Sequence, residues 1–136
     1  MKTIRIKAVV AGLLTDIVGG VAVGIVLGVL IAILASHDGD TSPAHLIALR
    51  ANLFIKVAGL FGTTFFTVLG GYVAARLSMP DWLSNSAAVG LISLLLGILL
   101  AVLQPGVTPL WKLFLGLLAT VPAALIGGRF AMRSRY

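Results

Sequence analysis

The group in this sequence best placed to do chemistry is a single carboxyl inside an apolar run. Asp16 is the only charged residue between Ala8 and Ser36. If the run crosses a membrane, this carboxyl lies about 12 Å inside the boundary at ~1.5 Å per residue. An ionised carboxylate near the bilayer centre costs about 2.5–3.5 kcal/mol. The position therefore predicts a compensated buried pair, a site that couples to a proton or an ion, or a side chain that extends to the nearer interface.

Two side chains are candidate partners of this carboxyl. Counting inward from Arg76 places Thr67 at the depth of Asp16, and the long side chain of Arg129 can extend to the same level. We therefore expect Asp16 to contact either Arg129 or the Thr67 hydroxyl. Thr67, Arg129 and Asp16 are thus the predicted intramembrane polar residues, together with Asn85, which a repeat described below makes equivalent to Asp16.

The remaining candidates for chemistry lie in one short polar segment. His37, Asp38, Asp40 and His45 match no known spacing of metal ligands, so we expect a solvated turn and no metal site. Outside it there are no histidines, no paired carboxylates and no phosphate-binding glycine loop, and the chain has no cysteine. The sequence predicts neither an enzyme nor a cofactor.

The elements that must position Asp16 are membrane-spanning helices. The 136 residues are 60% hydrophobic and 10% charged, with a mean hydropathy of +1.14, whereas soluble domains are about 25% charged. We expect a single all-α domain, 1–136, folded as a four-transmembrane-helix bundle with spans at about 8–35, 57–77, 82–103 and 110–131. The second span is expected to continue an unbroken helix that begins near Ala44.

Small residues recur at every fourth position of each span and form a stripe along a helix. Such stripes let membrane helices pack closely. We expect a neighbouring helix to lie along the first stripe, and a part of it to face a second subunit or a polar cavity. The stripes are Ala8, Gly12, Asp16, Gly20, Gly24, Gly28, Ala32 and Ser36; Gly59, Thr63, Thr67, Gly71 and Ala75; Ser93, Gly97 and Ala101; and Gly116, Thr120, Ala124 and Gly128.

The two halves of the chain resemble each other. Laying the second span on the fourth and the first on the third brings identical or similar residues together, which favours duplication of a two-helix hairpin. Two parallel copies should be related by a pseudo-two-fold axis along the membrane normal. The matched pairs include Gly59 with Gly116, Thr63 with Thr120, Gly71 with Gly128, Arg76 with Arg133, Gly28 with Gly97 and Asp16 with Asn85.

The basic residues predict the orientation. Side one, the end of the bundle where the first span begins, collects seven basic residues against three on side two. The positive-inside rule then places both termini in the cytoplasm, most simply at a bacterial inner membrane. The net charge of +6 is thus explained by the lipid bilayer rather than by nucleic acid. Arg76, Arg133 and Arg135 are candidate contacts for lipid headgroups or a partner.

Four short spans with an acidic residue in the first resemble the layout of the small multidrug resistance transporters. Only the layout is similar, because those proteins use a Glu where this chain has Asp16, and their aromatic-rich later motifs are missing. We expect a non-catalytic protein that acts through helix packing, as a subunit, an assembly partner or a homo-oligomer. The alternative is a small proton- or cation-coupled transporter or channel with Asp16 as its protonatable site.

Overall fold

A computed structural model of the chain describes residues 4–103 and 110–134. Over these residues the chain is helical and contains no strand. The helices are α1 (Ile6–His37), α2 (Pro43–Ala51), α3 (Leu53–Ser78), α4 (Trp82–Leu103) and α5 (Leu110–Arg133). All except α2 are long and apolar enough to cross a membrane. The predicted all-α four-span bundle is confirmed, and the chain is an integral membrane protein.

The spans alternate in direction. α1 and α4 run from side one to side two, and α3 and α5 return. A tight turn at Met79–Asp81 joins α3 to α4, where the Asp81 amide donates to the Ser78 carbonyl at 2.9 Å. The sequence also predicts a turn at 104–107, where Pro105 and Gly106 close the third span, and this turn lies outside the described residues. Large apolar side chains remain exposed along all four spans, as expected where lipid forms the surroundings.

The packed core lies in the half of the bundle nearer side one. Val9, Ala74 and Val89 are buried there against one another. α1 and α3 touch through their backbones, since a Cβ built at Gly12 would lie 2.6 Å from the Gly70 carbonyl oxygen, and one at Gly70 equally close to that of Gly12. Lipid tails are as apolar as leucine, so such close contact, rather than the hydrophobic effect, holds membrane helices together.

The segment before the second span is not continuous with it, which corrects the expectation of one helix from Ala44 to Ser78. The helix breaks at Asn52, whose ψ of 133° lies outside the helical region. The Asn52 amide donates to the Leu49 carbonyl, and its side-chain oxygen accepts from the Phe54 amide at 2.8 Å. An asparagine side chain competes for backbone hydrogen bonds in this way, so it ends α2 and caps α3.

The helix contacts do not follow a two-fold axis. Such an axis would exchange α1 with α4 and α3 with α5, so contact between α3 and α4 would require equal contact between α5 and α1. The structure has the first contact, but the described residues show none between α1 and α5. The predicted pseudo-two-fold arrangement is therefore wrong, while duplication of the hairpin stays a prediction from the sequence.

Candidate functional site

Asp16 lies where three spans meet. The Thr67 hydroxyl of α3 donates to Asp16 Oδ1 at 2.8 Å. The Ser93 hydroxyl of α4 donates to Asp16 Oδ2 at 2.5 Å. The predicted contact with Thr67 is therefore present. Ser93 was not predicted as a partner of Asp16. The signal that could have found it is its place in the third stripe of small residues.

Arg129 does not reach Asp16. In the part of the chain that the structure describes, α5 packs on α3 and α4 and not on α1, which leaves Arg129 exposed at side one with Arg133, beside a cavity of about 240 Å³. Within the ranges 4–103 and 110–134 the ion pair present is His45 with Asp38. The carboxyl of Asp16 thus has two hydroxyl donors and no cationic partner among the described side chains.

A cavity of about 220 Å³ begins at Asp16 and is lined by all four spans. Every lining residue lies at the level of Asp16, Thr67 and Ser93 or closer to side two. The cavity is not sealed, because Thr63 is exposed and Leu100 keeps 59% of its surface accessible. The lining residues are Asp16, Ile17 and Gly20 of α1; Leu60, Thr63, Thr64 and Thr67 of α3; Ser93, Leu96, Gly97 and Leu100 of α4; and Gly116 and Thr120 of α5.

The residues of the predicted stripes have different surroundings at the two ends of the bundle. At side one they pack, and a Cβ at Gly71 would overlap the Ala124 backbone, while one at Gly128 would overlap the Ser86 side chain. At side two they line the cavity, where Gly20, Gly97 and Gly116 have no atom within 4 Å of such a Cβ. Gly59 is half-buried in α3, and its carbonyl accepts from the Thr63 hydroxyl at 2.9 Å.

The groove expected along the whole first stripe does not form within the chain. Gly24 and Gly28 are exposed, with nothing within 4 Å. Instead α3 follows Gly12 and then Gly19, against which Phe66 packs. Positions four apart turn by about 40° per step on a helix of 3.6 residues per turn, whereas positions seven apart drift by only about 20°. The four-residue stripe therefore turns away from α3 along the helix. Residues seven apart, such as Gly12 and Gly19, stay in contact with α3.

Asn85 does not share the site with Asp16. It is fully buried at side one, in the first turns of α4, where its side-chain oxygen accepts from the Arg5 amide at 2.8 Å. Its side-chain nitrogen donates to the Asp81 carbonyl at 2.8 Å. The predicted equivalence of Asn85 and Asp16 fails because Asn85 lies nearer the end of its helix and holds the start of the chain against α4.

The predicted headgroup residues lie around side one. The Arg76 guanidinium donates to the Tyr72 hydroxyl at 2.8 Å and lies 6.0 Å from the centre of the same ring. Arg133 lines the exposed cavity beside Arg129. Arg135 lies outside the described residues. The first two lie at the end of the bundle for which the sequence predicts contact with lipid headgroups or a partner.

The polar segment between α1 and α2 is a capped turn. His45 and Asp38 form a side-chain pair at 3.2 Å, and the Ser42 side chain caps α2 by accepting from the His45 amide. Asp40 accepts from the Ser42 amide at 2.8 Å, and this hydrogen bond keeps the pKa of Asp40 below its usual value. Gly39 provides the positive φ of 70° with which the chain leaves α1.

Comparisons with protein-family models, with curated proteins and with solved structures gave no match. The site is a carboxyl without a cationic partner among the described residues, held by two hydroxyls at one end of an open cavity between four spans.

Proposed function

We propose that this integral membrane protein moves cations across the bilayer without catalysing a reaction, and that the Asp16 carboxyl binds the proton or cation. The observation that carries the proposal is the position of Asp16 at the floor of a cavity lined by all four spans. Ionisable residues inside a membrane are costly, and where they face a cavity they commonly mark a pathway for ions or protons.

The partners of Asp16 support this function over a purely structural pair. A structural carboxylate at this depth needs an opposite charge, because removing a lone charge from water costs several kcal/mol. Thr67 and Ser93 give hydrogen bonds but no positive charge. A bound proton or cation would neutralise the group, and the open cavity gives it a route.

Thr67 has the geometry to respond to such binding. Its hydroxyl lies 2.8 Å from Asp16 Oδ1 and 3.1 Å from the carbonyl oxygen of Thr63 on its own helix. When Asp16 binds a proton or a cation, the Thr67 hydroxyl can donate to Thr63 alone and offer its lone pair to the new occupant. The change requires rotation of one hydroxyl, with no movement of backbone.

The test is charge movement in proteoliposomes adsorbed on a solid-supported membrane, after a jump in pH or in cation concentration. The wild-type protein should give a transient current, and Asp16→Asn should abolish it because the amide cannot carry the charge. Asp40→Asn is the matched control, since Asp40 lies in the exposed turn outside the cavity, and it should keep the current. Equal currents from wild type and Asp16→Asn would overturn the proposal.

A second candidate function follows from the other face of α1. Gly24 and Gly28 are exposed with nothing within 4 Å, and exposed small residues four apart allow membrane helices to meet closely. We propose for this face a helix of a second copy or of a larger membrane complex. Gly24→Leu with Gly28→Leu should then dissociate a complex purified in mild detergent, whereas Val26→Leu should not. A complex unchanged in size by the double substitution would count against this function.

We also propose that side one faces the cytoplasm, so that the cavity opens to the exterior. The excess of basic residues at side one supports this orientation. Arg76, Arg129 and Arg133 would then meet the anionic headgroups of the cytoplasmic leaflet. A reporter that is active only in the cytoplasm, fused after Tyr136, should be active, and an inactive fusion would reverse the assignment.

A further inference from the structure

The hydroxyl groups around the cavity are largely committed as donors. The Thr63 hydroxyl donates to the Gly59 carbonyl at 2.9 Å, and the Thr120 hydroxyl donates to the Gly116 carbonyl at 2.6 Å. Those of Thr67 and Ser93 donate to Asp16. A hydroxyl has one proton and two lone pairs. When its proton is used in a hydrogen bond to the protein, its oxygen can still accept a hydrogen bond from a ligand in the cavity.

The cavity therefore offers hydrogen-bond acceptors and one negative charge. Five hydroxyl side chains line its described part, and of these only the Thr64 hydroxyl donates no hydrogen bond to a described residue. The described lining contains no lysine, arginine or histidine. An anion would find almost no donor here, whereas a cation that brings its own N–H donors would find several acceptors.

The walls above the floor are aliphatic. Ile17, Leu60, Leu96 and Leu100 line the cavity beyond Asp16. None of the lining residues described is aromatic, so the cation–π contacts that favour quaternary ammonium groups are missing from this part of the cavity. The volume of about 220 Å³ is below the ~300–1,000 Å³ of sites for drug-sized ligands. A short alkyl chain fits these walls, and a bulky aromatic cation does not.

We propose that the ligand of this cavity is a small aliphatic ammonium cation, with its N–H groups on Asp16 and the threonine hydroxyls and its alkyl chain along the leucines. The inference rests on the proposed function and specifies its substrate class. An ammonium group has three donors, and its bonds to a carboxylate are charge-assisted and short. An alkali ion would use the floor and leave the aliphatic walls without a role.

The test is thermal unfolding of the purified protein in detergent, at constant ionic strength. The probes are n-butylammonium, tetrabutylammonium and sodium, all as chlorides, and sodium butyrate. A ligand that binds only the folded state raises the unfolding midpoint with its concentration. Butylammonium should raise the midpoint saturably for the wild type and for Asp40→Asn, and the other probes should not.

Two variants tie the effect to the cavity. Asp16→Asn should remove the butylammonium shift, and Thr63→Val, which keeps the shape but loses the acceptor, should weaken the apparent affinity by about tenfold, the factor for ~1.4 kcal/mol. Equal stabilisation by tetrabutylammonium would overturn the inference, because that ion has no N–H. A butylammonium shift of the unfolding midpoint that remains in Asp16→Asn would also overturn the inference.

The sodium probe separates this inference from the proposed function. Stabilisation by sodium alone that requires Asp16 would overturn the ammonium assignment while leaving cation binding at Asp16 intact. Charge movement that is identical in wild type and Asp16→Asn would remove the proposed function itself. The two failures are therefore read from different measurements.

Discussion

In the half of the bundle near side one the small residues of the stripes lie against neighbouring backbones, whereas near side two they line the cavity or face outward. At Gly71 a Cβ would overlap the Ala124 backbone, and at Gly127, next to the stripe residue Gly128, it would overlap the Val68 carbonyl, but at Gly97 it would meet nothing within 4 Å. One residue type thus has two uses, close packing in one half and space in the other.

The boundary between the two halves is the layer of Asp16, Thr67 and Ser93. Between this layer and side one, Ser78, Asn85 and Ser86 are fully buried, and the Ser86 hydroxyl donates to the Gly71 carbonyl at 3.0 Å. Between this layer and side two, α4 is exposed at most positions from Leu95 to Leu103. The described part of the bundle is thus closely packed toward side one and loosely packed toward side two, with the Asp16 carboxyl at the boundary.

The largest effect is expected from filling the packed half. Gly127→Ala forces α3 and α5 apart because its Cβ meets backbone that no rotamer change can move. Overpacking of this kind costs about 1–3 kcal/mol and sometimes more. The thermal midpoint in detergent, followed by circular dichroism, should fall clearly below that of the wild type.

Gly97→Ala is the matched control in the open half. It is the same chemical change inside a helix, made where nothing lies within 4 Å, so the midpoint should stay the same or rise. If the two variants lose equal stability, the contrast between a packed and an open half is wrong.

The next largest effect is expected in the access of water to the cavity. The chain has no cysteine, so single cysteines can report access to a membrane-impermeant maleimide, which reacts with the thiolate in water. In membrane vesicles with side two outward, Thr63→Cys should label because Thr63 is exposed and lines the cavity. Ser86→Cys, a near-isosteric change at a fully buried position, should not label.

Val21→Cys distinguishes a wet cavity from general exposure. Val21 is 58% exposed, lies near Gly20 in depth and does not line the cavity, so lipid should shield it from the reagent. Labelling of Val21→Cys as fast as Thr63→Cys would show that the cavity offers no special access. Absence of labelling at Thr63→Cys would mean that water does not enter.

Much of this contrast could not be predicted from the sequence. Hydropathy alone located the four spans, and counting depth from Arg76 brought Thr67 to Asp16, because both arguments depend on distance along a helix. Ser93 was missed, and the contact with Arg129, offered beside that with Thr67, is not formed, because the contacts of α4 and α5 depend on which helices are neighbours. That choice is made by tertiary packing, and a stripe on each helix does not specify it.

The glycines of α1 show the same limit more sharply. Spacing by four suggested a single groove, but the rotation of about 40° per step carries Gly28 well away from the face of Gly12. Gly19 and Phe66, which the stripe did not contain, make the contact instead. A seven-residue spacing of small residues would have been the better signal, since it stays on one face over longer distances.

The smallest effect is expected at the exposed end of side two, where a second aspartate also accepts hydrogen bonds from a serine. The Ser42 amide and side chain lower the pKa of Asp40. A carboxyl whose folded pKa lies below its unfolded value of about 3.9 stabilises the turn above that value. The contribution is lost as the pH falls through the folded pKa.

A pH titration followed by NMR should therefore give Asp40 a pKa below that of an unfolded peptide, with a smaller hydrogen-exchange protection factor for the Ser42 amide at the acid end. The global unfolding midpoint should not follow this titration, because Asp40 is fully exposed. Ser42→Ala removes one of the hydrogen bonds and should move the pKa of Asp40 upward. Titration of Asp40 at the peptide value in the wild type would mean that the turn is not formed in solution.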